Sequence, residues 1–252
     1  MVRSSLYPDF FARFYDVIYD VVRSEADHDY FMQKILNAGG KVLEVGMGTG
    51  RFFMEALEQG ADIYGVDISP SMVDVLLAKL PPAEHHRVRV ADICALKDER
   101  RYDLVVAPFR VFMHFLTVEK QLKALSAMHA LLLPGGRLIF DLFVPNLKML
   151  SEGLHDHLDF EGEYEPGKML RRYSSMEADP VHQISRVTFR LEWEEEGSLK
   201  RESWETELRF FFRYELEHLL QKSAFNEFSI FGDFKEGGLT ASSKEFIVEC
   251  TA

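Results

Sequence analysis

The sequence predicts an α/β fold: a mostly parallel sheet with helices on both faces, an antiparallel last strand and an inserted antiparallel β cap. Three observations carry this expectation. Between residues 41 and 143, short apolar runs alternate with segments of helical periodicity, the pattern of a parallel sheet with crossover helices. From residue 168 to 213 the apolar residues switch to a period of two, as half-buried antiparallel strands require. Two short apolar runs at 227–231 and 245–249 then supply a strand pair that closes the sheet.

Length and composition bound what the chain does. With 252 residues and 47% hydrophobic content, it holds a sizeable core and is expected to fold alone as a single domain. Its parts are an N-terminal helical lid at 1–40, a core at 41–144, an inserted cap at 145–213 and the end of the core sheet at 214–252. A net charge of −12 argues against nucleic acid, whose phosphates need clustered Lys and Arg, and favours a small-molecule partner. No apolar run is long enough for a bilayer, and residues 1–17 lack the order of a secretory leader, so the expectation is a cytoplasmic protein acting without a membrane. Cys94 and Cys250 read as packed thiols, and the histidines at 85, 86, 155 and 157 as solvated loop residues; no metal is expected.

The elements follow in order. From Tyr7 to Asn37, Phe10, Phe11, Phe14, Tyr15, Ile18, Tyr19 and Val22 recur at helical spacing, followed by Tyr30, Phe31 and Ile35. In KVLEVGMGTGRF at 41–52, a buried strand runs into a turn cleared of side chains by Gly46, Gly48 and Gly50, where a ligand can approach backbone beside a helix N-terminus. Glu44 inside that strand is a costly buried carboxylate unless it is partnered. A helix at 51–59 leads to a second strand ending at Asp67, about twenty residues past the glycines, where a carboxylate accepts hydrogen bonds from a ribose diol. Ser69 and Pro70 start the next helix, with Met72, Val73, Leu76 and Leu77 inward. A third strand at 87–90 leads to Asp92 and Ile93, and a fourth at 102–107 to FRVFMH. A helix at 117–131 passes through LLLPGG into a fifth strand at 137–143. Residues 145–166 read as irregular and acidic. The alternating strands after them run to Val187–Trp193 and Trp204–Phe212, joined at Glu196, Gly197 and Ser198; with no helix of their own, they form a cap on the crevice, whose exposed hairpin offers a route to a homodimer. A helix at 215–224 precedes the final strand pair.

These pieces resemble the class I S-adenosylmethionine-dependent methyltransferases. VLEVGMGTG fits the first motif, VDIS the acidic second-strand end, ADI the segment after the third strand, and LLLPGGRLIFD the step into the fifth strand, together covering residues 41–141. YDVIYD and the late hairpin with FGDF are similar to a small-molecule subgroup that includes sugar-amine N-methyltransferases. Met47 departs from the pattern, which has a small residue there. The resemblance implies a Rossmann-like fold and S-adenosylmethionine as cofactor. It implies that Glu44 orders the methionine end, that Gly46, Gly48 and Gly50 line it, that Asp67 takes the ribose hydroxyls, and that Ile68 and Met72 are also cofactor-binding. Asp92 and Ile93 would then hold adenine, and Tyr15 and Tyr19 would close over the sulfonium or carboxylate.

Methyl transfer from a sulfonium needs orientation and a dry site more than acid–base chemistry. A base helps when the acceptor is a protonated amine or a hydroxyl, and His114 is placed for it; the competing reading is a histidine packed between Phe112 and Phe115. Arg110 is a candidate to hold a substrate anion, or else a structural ion-pair partner. Two other classes remain in view: a non-catalytic S-adenosylmethionine-binding regulator, and a nicotinamide-dependent oxidoreductase. The latter fingerprint needs a third glycine three residues after the second, and position 51 is Arg.

Overall fold

Because β1 (Val42–Val45) is buried along its whole length, it must sit in the middle of a sheet, and the computed structural model, which describes residues 6–22 and 25–252, places it there. Residues 1–5, part of the stretch read against a leader, and 23–24, inside the expected helical segment, lie outside the described residues. In chain order the elements before β1 are α1 (Asp9–Val22) and α2 (Glu25–Leu36). After β1 come α3 (Arg51–Glu58), β2 (Ile63–Asp67), α4 (Pro70–Lys79), β3 (Val88–Val90), β4 (Tyr102–Ala107), α5 (Val118–Leu131) and β5 (Leu132–Phe143). Then follow α6 (Leu147–Glu152), β6 (Leu154–Glu165), β7 (Lys168–Asp179), β8 (Ile184–Glu195), β9 (Ser198–Arg209), α7 (Arg213–Gln221), β10 (Glu227–Phe231) and β11 (Glu245–Thr251).

The chain divides into two compact units, residues 24–145 with 210–252, and residues 1–23 with 146–209. The larger unit is built on a seven-stranded sheet of order β10-β11-β5-β4-β1-β2-β3. β1 to β5 are mutually parallel and β11 runs antiparallel to β5, as the sequence predicts. Val42, Ile63, Leu104, Val106, Ile139 and Ile247 bury one sheet face against Phe31, Phe52, Phe53, Val73 and Leu76 of α2, α3 and α4. Each such side chain contributes about 1.5–3 kcal/mol on burial. β5 starts earlier than the expected residue 137. Tyr102 pairs with Leu132, and a register shift follows before Leu104 pairs with Arg137. The intervening bulge is pinned by Ala252, because Gly135 N–H donates to the Ala252 carbonyl at 2.8 Å and Ala252 N–H to that of Gly136 at 2.9 Å.

The smaller unit is an antiparallel meander, β6-β7-β8-β9, in which α1 lays its aromatic face on one side of the sheet. Tyr7 and Phe11 pack on Trp204 with ring centroids 4.4 and 4.8 Å apart, and Phe14 packs on Trp193 at 5.1 Å. Arg13 pairs with Glu195 at 2.6 Å. Three expectations are corrected here. Residues 145–166 are not irregular: Asn146 caps α6, and acidic side chains of β6 pair with arginines of β7, Glu161 with Arg171 and Asp159 with Arg172, so that the charge which suggests a loop in sequence is spent across a ladder. The alternating strand stops at Arg209; Phe210 and Phe211 are buried outside it and Phe212 precedes the first turn of α7. The sheet also has helices in its own unit, α1 and α6, against the reading that it had none.

Candidate functional site

The glycine turn after β1 is held open by the strand beside it. Gly46 N–H donates to the Val66 carbonyl at 2.7 Å, and all three glycines, 46, 48 and 50, have positive φ. Two of them are there for distinct reasons. A Cβ on Gly46 would overlap the Val111 side chain, so the segment after β4 closes directly on the turn. A Cβ on Gly48 would meet nothing within 4 Å, so that side of the turn is open space bounded by backbone, the feature a ligand tail uses. Met47 points the other way: it is 3% exposed and packs where Gly65 of β2 leaves room, so the departure at 47 is compensated at 65.

Acidic residues stand at adjacent strand ends. Asp67 accepts the Gly48 N–H on Oδ2 at 2.9 Å and the Ser69 N–H on Oδ1 at 2.8 Å. Burial raises its pKa, opposed by these backbone donors and by the Ile68 N–H. Each oxygen retains a lone pair, so the carboxylate is oriented and still able to accept from a diol. Ile68 beside it is exposed, an apolar surface at the strand end, whereas Met72 is 1% exposed and packs inward. The Asp67 carbonyl accepts the Ala91 N–H at 2.8 Å, which brings Asp92 alongside. Asp92 caps the short 3₁₀ turn at Ile93–Ala95 by accepting the Cys94 N–H at 2.9 Å and is otherwise exposed; Ile93 is buried. Glu44 is buried within β1.

The segment after β4 changes the reading of Arg110. Its guanidinium donates to both oxygens of Glu245 at 2.7 Å and lies 3.5 Å from Asp141. Of the two readings of Arg110, the fold contains the ion pair: carboxylates from Asp141 and Glu245 both face its guanidinium. His114 ends the 3₁₀ turn Val111–His114 and is half-buried; enclosure by protein pulls its pKa down to about 4, so the imidazole is neutral at pH 7. Phe112, 5.5 Å from Phe115 and stacked on Phe140 at 4.5 Å, anchors the turn. Asp141 and Glu245, with Asp27 paired to Arg51 at 3.0 Å, form a charged group that motif reading missed. The available signal was Asp141 itself, a lone acid in the apolar strand run RLIFDLF.

Tyr15 and Tyr19 belong to the smaller unit. Their rings lie 4.4 Å apart, Tyr15 is 6% exposed, and the Arg172 guanidinium lies 4.9 Å from the Tyr19 ring. Burial pushes the thiols of Cys94 and Cys250 up to about 11 and about 12, consistent with packed, unreactive cysteines. Among the described residues no group of three or more His, Cys, Asp or Glu is placed to hold a metal, and no helix is long and apolar enough to cross a membrane.

Comparison with known proteins agrees with the motif reading. Residues 42–136 match a family described as a methyltransferase domain. A ubiquinone biosynthesis O-methyltransferase from Coxiella burnetii is 28% identical over 150 residues, covering 52% of this chain and 61% of that protein. The chain thus spans about three-fifths of the length of that curated relative. A sugar N-methyltransferase structure from Streptoalloteichus superposes with a TM-score of 0.73 at 21% identity, covering 98% of this chain and 97% of that one. A S-adenosylmethionine-dependent methyltransferase structure from Clostridium acetobutylicum gives 0.72 at 19% identity, covering 96% and 98%. These likenesses establish the Rossmann-like methyltransferase fold.

Proposed function

We propose that this chain, whose residues 42–136 match a methyltransferase domain, is a S-adenosylmethionine-dependent methyltransferase of a small-molecule acceptor. One observation carries the reading: Asp67 at the end of β2 accepts the N–H of Gly48 in the turn after β1, so that a ribose-binding carboxylate and a side-chain-free backbone cradle form one unit. The cofactor fits that unit, since the cradle admits a ligand tail and the oriented carboxylate a ribose diol, with exposed Ile68 and Asp92 at the neighbouring strand ends for the base. Arg51 in place of a third fingerprint glycine disfavours a pyrophosphate-bridged dinucleotide.

S-adenosylmethionine supplies an already activated methyl group, so orientation in a dry site is the protein's main contribution, about 7–11 kcal/mol for a well-aligned pair. Glu44 and the glycines order the methionine end. His114, neutral at pH 7, accepts a hydrogen bond from the acceptor and orients it, its pKa of about 4 making it too weak a base to take the proton outright; Arg110 acts through its ion pairs rather than on substrate. The acceptor is read as a small hydroxyl- or amine-bearing molecule, supported by relatives named for O- and N-methyl transfer. The charge of −12 supports a protein that works without nucleic acid. Cytoplasmic location and a homodimer complete the reading, the latter tested by sedimentation.

The deciding experiment is a thermal-shift comparison with S-adenosylmethionine, S-adenosylhomocysteine and NADH. A ligand at a hundred times its dissociation constant adds about 2.7 kcal/mol. Stabilisation by the two sulfur nucleosides, lost in Asp67→Ala, is the expected result. Stabilisation by NADH alone refutes the reading, and cofactor binding with no turnover across an acceptor panel turns it into the regulator alternative.

A further inference from the structure

The backbone just after β4 takes an unfavourable course. Phe109 and Arg110 are consecutive non-glycine residues with φ of 58° and 65°, a left-handed pair that costs about 1–2 kcal/mol per residue. Something must hold it. The N–H groups of both residues bound one small acceptor site. The carboxylate of Asp141, at 1% exposure, fills it: Oδ1 accepts the Arg110 N–H at 3.3 Å, and the Phe109 N–H also bonds to Asp141. The Arg110 side chain folds back over the same carboxylate at 3.5 Å. Immediately downstream, Val111 fills the space that Gly46 leaves by having no Cβ. Asp141 thus fixes the left-handed pair, the pair aims Val111, and Val111 closes on the glycine turn.

We propose that Asp141 is a positioning residue for the methionine end of the cofactor, acting through the Phe109–Arg110 backbone on the glycine turn, a role that rests on the methyltransferase reading above. Its ionised form is the one that holds two backbone donors and a guanidinium together. Four charged groups surround it: Arg110 from the same segment, Glu245 from β11, Asp27 from α2 and, through Asp27, Arg51 from α3. Burial and Asp27 raise its pKa to about 6 against the pull of Arg110, which places its protonation at the acid edge of the working range. Glu245, on the outer side of the same guanidinium, is raised to about 7, chiefly by burial.

The test combines amide hydrogen exchange over residues 109–113, corrected for intrinsic pH dependence, with calorimetric binding of S-adenosylhomocysteine between pH 5 and 8.5. In the wild type, protection and affinity should fall together below about pH 6, affinity by about tenfold. Asp141→Asn should bind weakly at every pH, with a flat profile. Glu245→Gln should keep the transition. Arg110→Gln should move the transition to higher pH, because it removes the charge that holds Asp141 ionised; it retains both backbone donors and serves if Asp141→Asn does not fold. Asp141→Asn with wild-type protection and affinity overturns the proposal, and so does a wild-type affinity independent of pH. Protection lost without any change in affinity refutes the positioning role. A wild type that shows the protection transition yet binds neither sulfur nucleoside refutes the methyltransferase reading instead, and the link to a cofactor falls with it.

Discussion

At the scale of single residues, the site is a set of costs the fold accepts. Asp141 and Glu245 have folded pKa values of about 6 and about 7, above their ordinary values. Folding therefore favours their protonated forms, so their contribution to stability is fully present below about pH 4 and is lost as pH rises through about 6 and then about 7. Asp98 and Glu249, whose pKa values are lowered by hydrogen bonds and ion pairs, act in the opposite sense and lose their contribution in acid below the ordinary carboxylate range. The expected unfolding temperature thus declines from pH 5 to 8, and Asp141→Asn flattens that slope; a melting series across this range measures it. Gly46→Ala adds a Cβ that collides with Val111 at a left-handed φ, and should cost about 1–3 kcal/mol. In a double-mutant cycle with Val111→Ala, part of that loss should return, since the steric component is shared by the pair.

Among the elements, the β8–β9 hairpin is the clearest meeting of sequence and structure. Glu196 and Gly197 form its two-residue turn with φ of 53° and 73°, the sense that matches strand twist. Gly suits that geometry and Glu does not, so Glu196→Asn or Glu196→Gly should stabilise the hairpin by a few tenths to about 1 kcal/mol in denaturant unfolding. Alternation was legible because one face of β8 and β9 is apolar: Phe189, Leu191 and Trp193 oppose the side that carries Arg186 and Arg190. β6 was not legible, because its exposed residues are acidic and their arginine partners lie on another strand. The sequence marks α1 as amphipathic, but its apolar face gives no address; only the packing of Phe11 and Phe14 on Trp204 and Trp193 says which surface it covers. Trp204→Ala, which opens that packing, is expected to cost about 3–5 kcal/mol.

For the whole molecule, the two compact units differ in how much of them a linear pattern reveals. The larger was readable almost strand by strand, because crossover connections force apolar runs, turns and helices into a fixed alternation and put the strand ends that bind ligand in a predictable order. The smaller is assembled from residues 1–23 and 146–209, segments separated by the larger unit's sequence, and no local pattern announces that α1 joins β6 to β9. If the units melt separately, S-adenosylhomocysteine should raise only the transition of the unit that carries the glycine turn; calorimetry with and without it resolves this.

The sequence by itself determined the sheet, the glycine turn, the acid at the end of β2 and the cofactor class they point to, because those features depend on residue type at short spacing. Tertiary structure decided the rest. Arg110 became an ion-pair residue because Glu245, 135 positions away, is brought to its guanidinium by β11. Asp141 became a backbone anchor because adjacent strand ends place it under a left-handed pair that nothing in FRVFMH marks. Coulomb and hydrogen-bond energies depend on distance in space, and spacing along the chain carries that distance only within one element or one turn.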